Sequence, residues 1–578
     1  MKKAVFCVVL ALLLILAASM PFLAVSGLFS YEIRDGHAII QSYTGFLRRV
    51  TIPETLGGYP VTEIASYAFE YTDVSEVKIP ASVEKIGIRA FEKCMSLESL
   101  TVAEGNPSYR SVDGVLFCAD GTELIRYPQA KSGAYTVPDG VTSLAAYAFS
   151  DCTVMTQIKL PATLVSVGDY AFSGCRFSSV TLPSSLHILS DGAFYRCSSL
   201  TGILLPAGIS YVGLYAFYGC TSLADISVIG SNETFSSLDG VLYNKERTVL
   251  LCCPEGRSGS LEIPDTVTEL GYQALMNASR LTAVTFPETL TTIGAGAFSG
   301  CSSLEELILP SSVTEIGEFA FAGCEALERL TLPSSITEIP FAMCSGCEML
   351  TAIRIPDCVV RIRNYAFSEC PSLQYVVFSS ASMLDTLGRY VFRNDVSLRT
   401  VALPETLTEI GMYAFSGCSG LQTMYIPASV SVLGNYSFVG CSSLEYLAVT
   451  DGTTVFGYPL LTSGTSTKIY CLSKSSPVYS YAVTRGYAVE VKTSLEDYRP
   501  KLSADPEIPA EVNPVYANTG SSDPGLKALG SAAVQIVFDA VAHARTLPPA
   551  WEKEADLDGD GLLTLNDVIL MDRLFAED

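Results

Sequence analysis

Residues 293–333 read IGAGAFSGCSSLEELILPSSVTEIGEFAFAGCEALERLTLP, one phrase stated almost twice. Ile293 and Ile316, Phe298 and Phe321, Cys301 and Cys324, Leu304 and Leu327, and Pro310 and Pro333 are each 23 residues apart. A fixed period of about 20–29 residues with L-x-x-φ-x-φ spacing marks a chain that winds into stacked coils. One coil cannot bury its own apolar side, so neighbours must share a core. Within a coil, Leu304, Leu307 and Leu309 read as a strand with alternate residues inward. Pro310 ends that strand, because proline has no N–H for the next ladder. Ser311-Ser312-Val313 starts a second extended edge, Gly317 turns a corner, and Phe319–Cys324 is predicted to make one helical turn.

Outward from this stretch, the aromatic of the A-F pair marks coils at Phe69, Phe91, Phe149, Phe172, Phe194, Phe217, Phe298, Phe321, Phe367, Phe392, Phe415 and Phe438, with Leu275 and Cys344 in its place twice. Two insertions break the period and match each other. Asp113-Gly114-Val115-Leu116-Phe117 is followed by Thr122, Leu124 and Pro128. Asp239-Gly240-Val241-Leu242-Tyr243 is followed by Thr248, Leu250 and Pro254 at the same offsets. Each reads as a β-hairpin grafted on the solenoid, the first turning at Asp120-Gly121. Residues 27–67 open with YEIRDGHAII from Tyr31, a hairpin turning at Asp35-Gly36 that caps the open end. The solenoid spans 68–467. Residues 468–495 hold a strand, a short helix with Tyr479, Tyr481 and Ala482, and a last strand that closes the far end. Residues 496–525 are a linker rich in Pro, Asp, Asn, Ser and Ala.

Of the 18 cysteines, Cys94, Cys152, Cys175, Cys197, Cys220, Cys301, Cys324, Cys347, Cys370, Cys418 and Cys441 share one repeat phase. They read as a ladder of small buried thiols, one per coil. Bridges between neighbouring coils stay open on distance alone. The net charge of −24 argues against nucleic acid, whose phosphates call for Lys and Arg. Met1-Lys2-Lys3, the apolar run Ala4–Ala18, and small Ala24 and Ser26 before Gly27 form a secretory leader over 1–26. An uncleaved N-terminal anchor is the alternative, since apolar residues continue to Val25.

Explicit chemistry lies in residues 526–578. Asp556, Asp558 and Asp560 stand at positions 1, 3 and 5 of a twelve-residue loop, with Gly561 at 6, the Leu562 carbonyl at 7, Thr564 at 9 and Asp567 at 12. Calcium takes six to eight oxygen ligands, and this spacing supplies them, with Asp where an EF-hand has Glu. Val568, Met571 and Leu574 continue as the apolar stripe of an exit helix. His37, His187 and His543 are scattered, and the sequence contains no HExxH, GxSxG or P-loop motif. The positions two before each strand-ending Pro should face outward: Lys159, Thr181, Leu204, Thr285, Ile308, Thr331, Arg354, Ala402 and Tyr425.

The unit L-x-x-φ-x-φ-P-x-S-V-x-x-I-G-x-x-A-F-x-x-C resembles the BspA-like leucine-rich-repeat family of bacterial surface and secreted proteins. The YEIRDG opening, the two DGVL hairpins and the IYC…YAVTRGY cap extend the resemblance from Tyr31 to Val491. It implies a right-handed superhelix with a stacked parallel sheet. Residues Asp556–Leu574 resemble half of a dockerin, a small all-α, EF-hand-like module that docks on cohesin scaffolds. The first half, NTGSSDPGLKALG, lacks the Asp spacing. On the dockerin pattern, recognition falls to Leu565, Asn566, Asp572 and Arg573, with Asp572 departing from the usual basic residue. The resemblances imply an exported, non-catalytic binding protein for adhesion or protein–protein interaction, with a protein or glycan ligand on the solenoid and a cohesin scaffold at the tail. A carbohydrate-targeting accessory of an extracellular enzyme complex is the alternative.

Overall fold

The computed structural model describes residues 23–500. The leader at 1–22, the linker beyond 500 and every residue of the calcium loop lie outside the described residues. Leu23–Ser26, within the expected leader, forms a strand antiparallel to Phe29–Arg34.

Each coil has three sides, and each side stacks on the equivalent side of the next coil. The first side is a wide parallel ladder, as in Glu306–Ile308, Arg329–Thr331, Ala352–Arg354, Tyr375–Val377 and Thr400–Val401. Its register repeats the sequence period, with Glu306 opposite Arg329 and Leu307 opposite Leu330. The second side is a narrow ladder of two-residue strands, such as Glu338–Ile339, Arg361–Ile362, Thr386–Leu387 and Glu409–Ile410. Between them Ser311-Ser312 forms a tight turn, closed by Val313 N–H on Pro310 O at 3.1 Å. The second edge therefore begins at Glu315, later than expected.

The third side is a run of turns, where a helical turn was expected. Phe321 N–H donates to Met343 O of the next coil at 2.9 Å, and Gly323 N–H donates to Ser345 O at 2.8 Å. Those N–H groups are committed between coils and cannot close i→i−4 bonds within one. Phe319 also takes the left-handed conformation, φ 55°, which breaks helical progression. Inside, Phe298, Cys301, Leu304, Leu307 and Val313 are all buried. The rings of Phe298 and Phe321 stack at 5.6 Å, carrying one hydrophobic column from coil to coil.

The hairpin Phe29–Arg34 and His37–Tyr43 turns at Asp35-Gly36, both left-handed at φ 52° and 80°. Its second strand pairs with Tyr59–Ile64, so the cap starts the narrow ladder. At the far end Lys468–Cys471 pairs with Ala488–Val491 around the helix Pro477–Arg485. Ser476 caps that helix by accepting from Tyr479 N–H, and left-handed Gly486 ends it at φ 76°. Val478 and Ala482 are buried, and Tyr481 stacks on Phe456 at 4.6 Å. Among the described residues no helix is long and apolar enough to cross a membrane.

The insertions differ from two grafted hairpins. Each is a three-stranded meander, Tyr109–Val112, Val115–Cys118 and Glu123–Arg126 in the first. The two-residue turn sits at Asp113-Gly114, φ 51° and 77°, ahead of the expected Asp120-Gly121. The third strand joins the narrow ladder by pairing with Ser143–Leu144. The middle strand is buried on both faces. Leu116 packs into the core before it, and Val115 and Phe117 into the core after it. Leu242 and the pair Val241 and Tyr243 divide in the same way. The hairpins are thus walls across the solenoid, partitioning its interior.

Candidate functional site

The residues expected to carry explicit chemistry, Asp556, Asp558, Asp560, Leu562, Thr564 and Asp567, and the docking residues Leu565, Asn566, Asp572 and Arg573, lie outside the described residues. Three surfaces of the solenoid remain as candidates.

The first is the outer face of the wide ladder. Alternation along the strands turns Lys159, Thr285, Thr331 and Arg354 to solvent, with Leu204 53% and Ile308 62% exposed, and Thr181, outside any strand, is exposed as well. Arg329 and Glu306 pair across neighbouring strands at 3.0 Å. Tyr425 departs from the expectation, being only 7% exposed. Leu495 and Tyr498 fold back over it and pack with Ala448, Tyr446 and Tyr470. Glu496–Tyr498, read as the start of the linker, is a 3-10 turn docked there, and Arg499 binds Glu405 at 2.9 Å.

The second is a tyrosine stack on the turn side that the sequence reading missed. The residue two before the marker aromatic is left-handed, as at Tyr365, Tyr390, Tyr413 and Tyr436 with φ 57–60°. Their rings stack at 4.6, 4.8 and 4.5 Å, within 8° of parallel. Burial raises the Tyr365, Tyr390 and Tyr413 hydroxyls above their usual range. Stacked rings hide their faces and present edges. The signal was in the sequence, as a Tyr two residues before the marker Phe in several coils.

The third is a pair of clefts at the insertions. In a regular coil four residues separate the inward Leu144 from Phe149. Only Ile125 and Arg126 separate Leu124 from Tyr127, and only Leu251 and Cys252 separate Leu250 from Cys253. Tyr127 and Cys253 still hold the turn-ladder rung, donating to Ala148 O at 2.8 Å and Ala274 O at 2.6 Å. The shortened turn removes the left-handed residue and its outward bulge for one coil. A gap follows between the flanking coils. The second gap is a cavity of about 270 Å³ lined by Tyr215, Tyr218, Cys252, Glu255, Tyr272 and Gln273, among others. The Tyr215 and Tyr272 hydroxyls meet across it at 3.0 Å. Glu255 is 8% exposed and accepts from Gly219 N–H at 2.6 Å. Burial pushes its carboxyl up to about 7, against the lowering effect of that hydrogen bond, the Asn277 side chain and Arg196.

The cysteine ladder is a ladder of free thiols. Most Sγ–H groups donate to the carbonyl of the marker residue one coil back, Cys301 to Leu275, Cys324 to Phe298 and Cys418 to Phe392 at 2.9–3.2 Å, while Cys152 reaches Tyr127 O only at 3.9 Å. Burial raises the Cys152 and Cys441 thiols to about 12, which holds them neutral and unreactive.

Comparison with curated proteins finds no match. Among solved structures, the chain is similar to a leucine-rich repeat protein from Eubacterium ventriosum, at 24% identity over 72% of this chain and 94% of that one, with a TM-score of 0.46. It is also similar to a leucine-rich repeat protein from Bacteroides ovatus, at 24% identity over 78% and 100%, TM-score 0.40. A leucine rich cell surface protein from Faecalibacterium prausnitzii shares 23% identity over 75% and 96%, TM-score 0.37. The profile described as BspA type leucine rich repeat region matches residues 42–119, 127–239, 257–374 and 360–484. With the 23-residue register visible in the wide ladder and the profile repeated along most of the chain, this protein belongs to the BspA type leucine-rich-repeat family.

Proposed function

We propose that this chain is an exported, non-catalytic binding protein that engages a protein or adhesive ligand through its solenoid and attaches through a calcium-dependent, dockerin-like tail to a cohesin-type scaffold. The observation that carries the solenoid half is the outer face of the wide ladder. Its exposed side chains change from coil to coil, from Lys159 to Leu204, Ile308 and Arg354, on a backbone whose register is fixed. A rigid ladder with variable outward residues suits recognition of an extended partner surface. The carbohydrate-targeting alternative calls for open aromatic faces, and the tyrosine stack offers ring edges instead.

The tail half rests on donor chemistry. Asp556, Asp558, Asp560, the Leu562 carbonyl, Thr564 and Asp567 are all oxygen donors, the set a hard cation prefers. With calcium held there, Leu565, Asn566, Asp572 and Arg573 would meet the scaffold. The leader pattern of Met1–Ser26 supports export. Binding of the full chain to immobilised cohesins tests this reading. Retention in calcium, lost in EDTA and in Asp556→Ala, is the expected result. Retention that survives EDTA, or the absence of any cohesin partner, would contradict it.

A further inference from the structure

The two inserted modules are copies, with Asp113-Gly114 corresponding to Asp239-Gly240, and their clefts correspond residue by residue. The first copy fills its own cleft floor. Arg126 is buried there and donates from Nη1 to Tyr147 O and to Ser150 Oγ at 2.9 Å. Its Nη2 donates to Phe91 O at 3.4 Å and Ser150 O at 3.5 Å. In the second copy Cys252 stands in place of Arg126. Phe217, Gln273 and Met276 stand in place of Phe91, Tyr147 and Ser150, and all of them line the second cavity.

The two clefts share their upper walls but not their depth. The second reaches Tyr218, Cys253, Glu255 and Met276. Their counterparts Glu92, Tyr127, Gln129 and Ser150 do not line the first cleft, because the Arg126 guanidinium lies between them and the opening. With a short thiol in place of the long cation, no guanidinium covers the deep residues of the second copy, and Cys253, Glu255 and Met276 line its cavity. The same comparison changes Gln129 to Glu255, placing a carboxylate among them. The Glu255 carboxylate accepts from Gly219 N–H and from the Asn277 side chain, with Arg196 nearby, and an ionised carboxylate has lone pairs for further donors. A guanidinium is flat, carries only donors and stacks on aromatic rings. The deep end offers a carboxylate and the backbone carbonyls equivalent to those Arg126 uses, and the mouth is framed by Tyr215 and Tyr272.

We propose that the second cleft receives an arginine side chain from a partner polypeptide, seating its guanidinium where Arg126 lies in the first cleft. The second cleft is about 270 Å³ and the first about 370 Å³, so the two differ in depth and lining rather than in added volume. Leu214 and Leu251 on the upper wall suit the methylene stem. The inference concerns the turn side of the solenoid and is independent of the calcium tail.

Calorimetric titration of the full chain at pH 8 with acetyl-Gly-Arg-Gly-amide tests it, since the Glu255 carboxyl, raised to about 7, is mainly ionised there. One site is expected, with the lysine and citrulline versions of the peptide weaker by about tenfold or more. Glu255→Gln should weaken binding by a similar factor. Cys252→Arg should abolish it by filling the cleft from within, as Arg126 does, with the circular dichroism spectrum unchanged. No binding, equal binding of the citrulline peptide, or undiminished binding by Cys252→Arg would overturn the proposal. If Cys252→Arg does not fold, unchanged binding by Glu255→Gln overturns it alone. Free arginine binding as tightly as the peptide would overturn the polypeptide source.

Discussion

Asp395 occupies the rung that Cys370 and Cys418 hold in the coils on either side. It is fully buried, its Oδ1 accepts from Cys370 N–H at 2.8 Å, and among the described residues its Oδ2 has no partner. Desolvation pushes the carboxyl well above the usual aspartate range, so the neutral acid is the form the fold prefers. The folded group titrates above the unfolded one. Its contribution is then fully present below the unfolded pKa and is lost as pH rises toward the folded value. Asp395→Cys restores the ladder and should raise stability at pH 7 by about 1–3 kcal/mol, the cost of an unmatched buried polar group. Urea unfolding at pH 5 and pH 8 should show the variant's advantage growing with pH, and a less stable variant would refute the account. The phase of the cysteines was legible in the sequence. Their role as Sγ–H donors was not, because Cys301 and its acceptor Leu275 meet only once the coils are stacked.

At the scale of elements, inward and outward positions were legible wherever local pattern decides them, as at Leu307 and Ile308. The end cap was legible too, as a strand, a short helix with Tyr479, Tyr481 and Ala482, and a last strand. The turn side was not, since its hydrogen bonds run between coils, and Phe319–Cys324 alone carries no sign that Phe321 N–H is already committed to Met343 O. The meanders were half legible. Asp113-Gly114 is a strong two-residue turn signal, but the first strand, Tyr109–Val112, has no apolar alternation to announce it. The helix Pro477–Arg485 closes the end of the narrow ladder, which a stacked sheet needs in order to avoid edge pairing. Ala482 of this helix is fully buried. Ala482→Asp places an uncompensated charge there and should cost about 3–5 kcal/mol locally. Light scattering should then report self-association, with faster amide exchange at Val455–Phe456 and Lys468–Cys471. A monomer with unchanged exchange would show that the cap does not protect the end.

The whole solenoid grows in one dimension, so a period read in 41 residues, 293–333, extends to most of the chain. Long-range closure is what the period cannot reveal. Tyr425 is covered by Leu495 and Tyr498, some 70 residues downstream, and nothing near Tyr425 announces it. The hairpin walls likewise divide the interior in a way that only the burial of Leu116 against Val115 and Phe117 discloses. On the proposed function the molecule has two working parts, a solenoid held by burial and inter-coil hydrogen bonds, and a tail that would depend on a metal. Calcium titration of the full chain, alongside Asp556→Ala, tests that division most directly. One calcium bound per chain is expected, none in the variant, with the same thermal unfolding of the solenoid in both. No calcium uptake by the wild-type chain, or uptake that Asp556→Ala leaves intact, would contradict it.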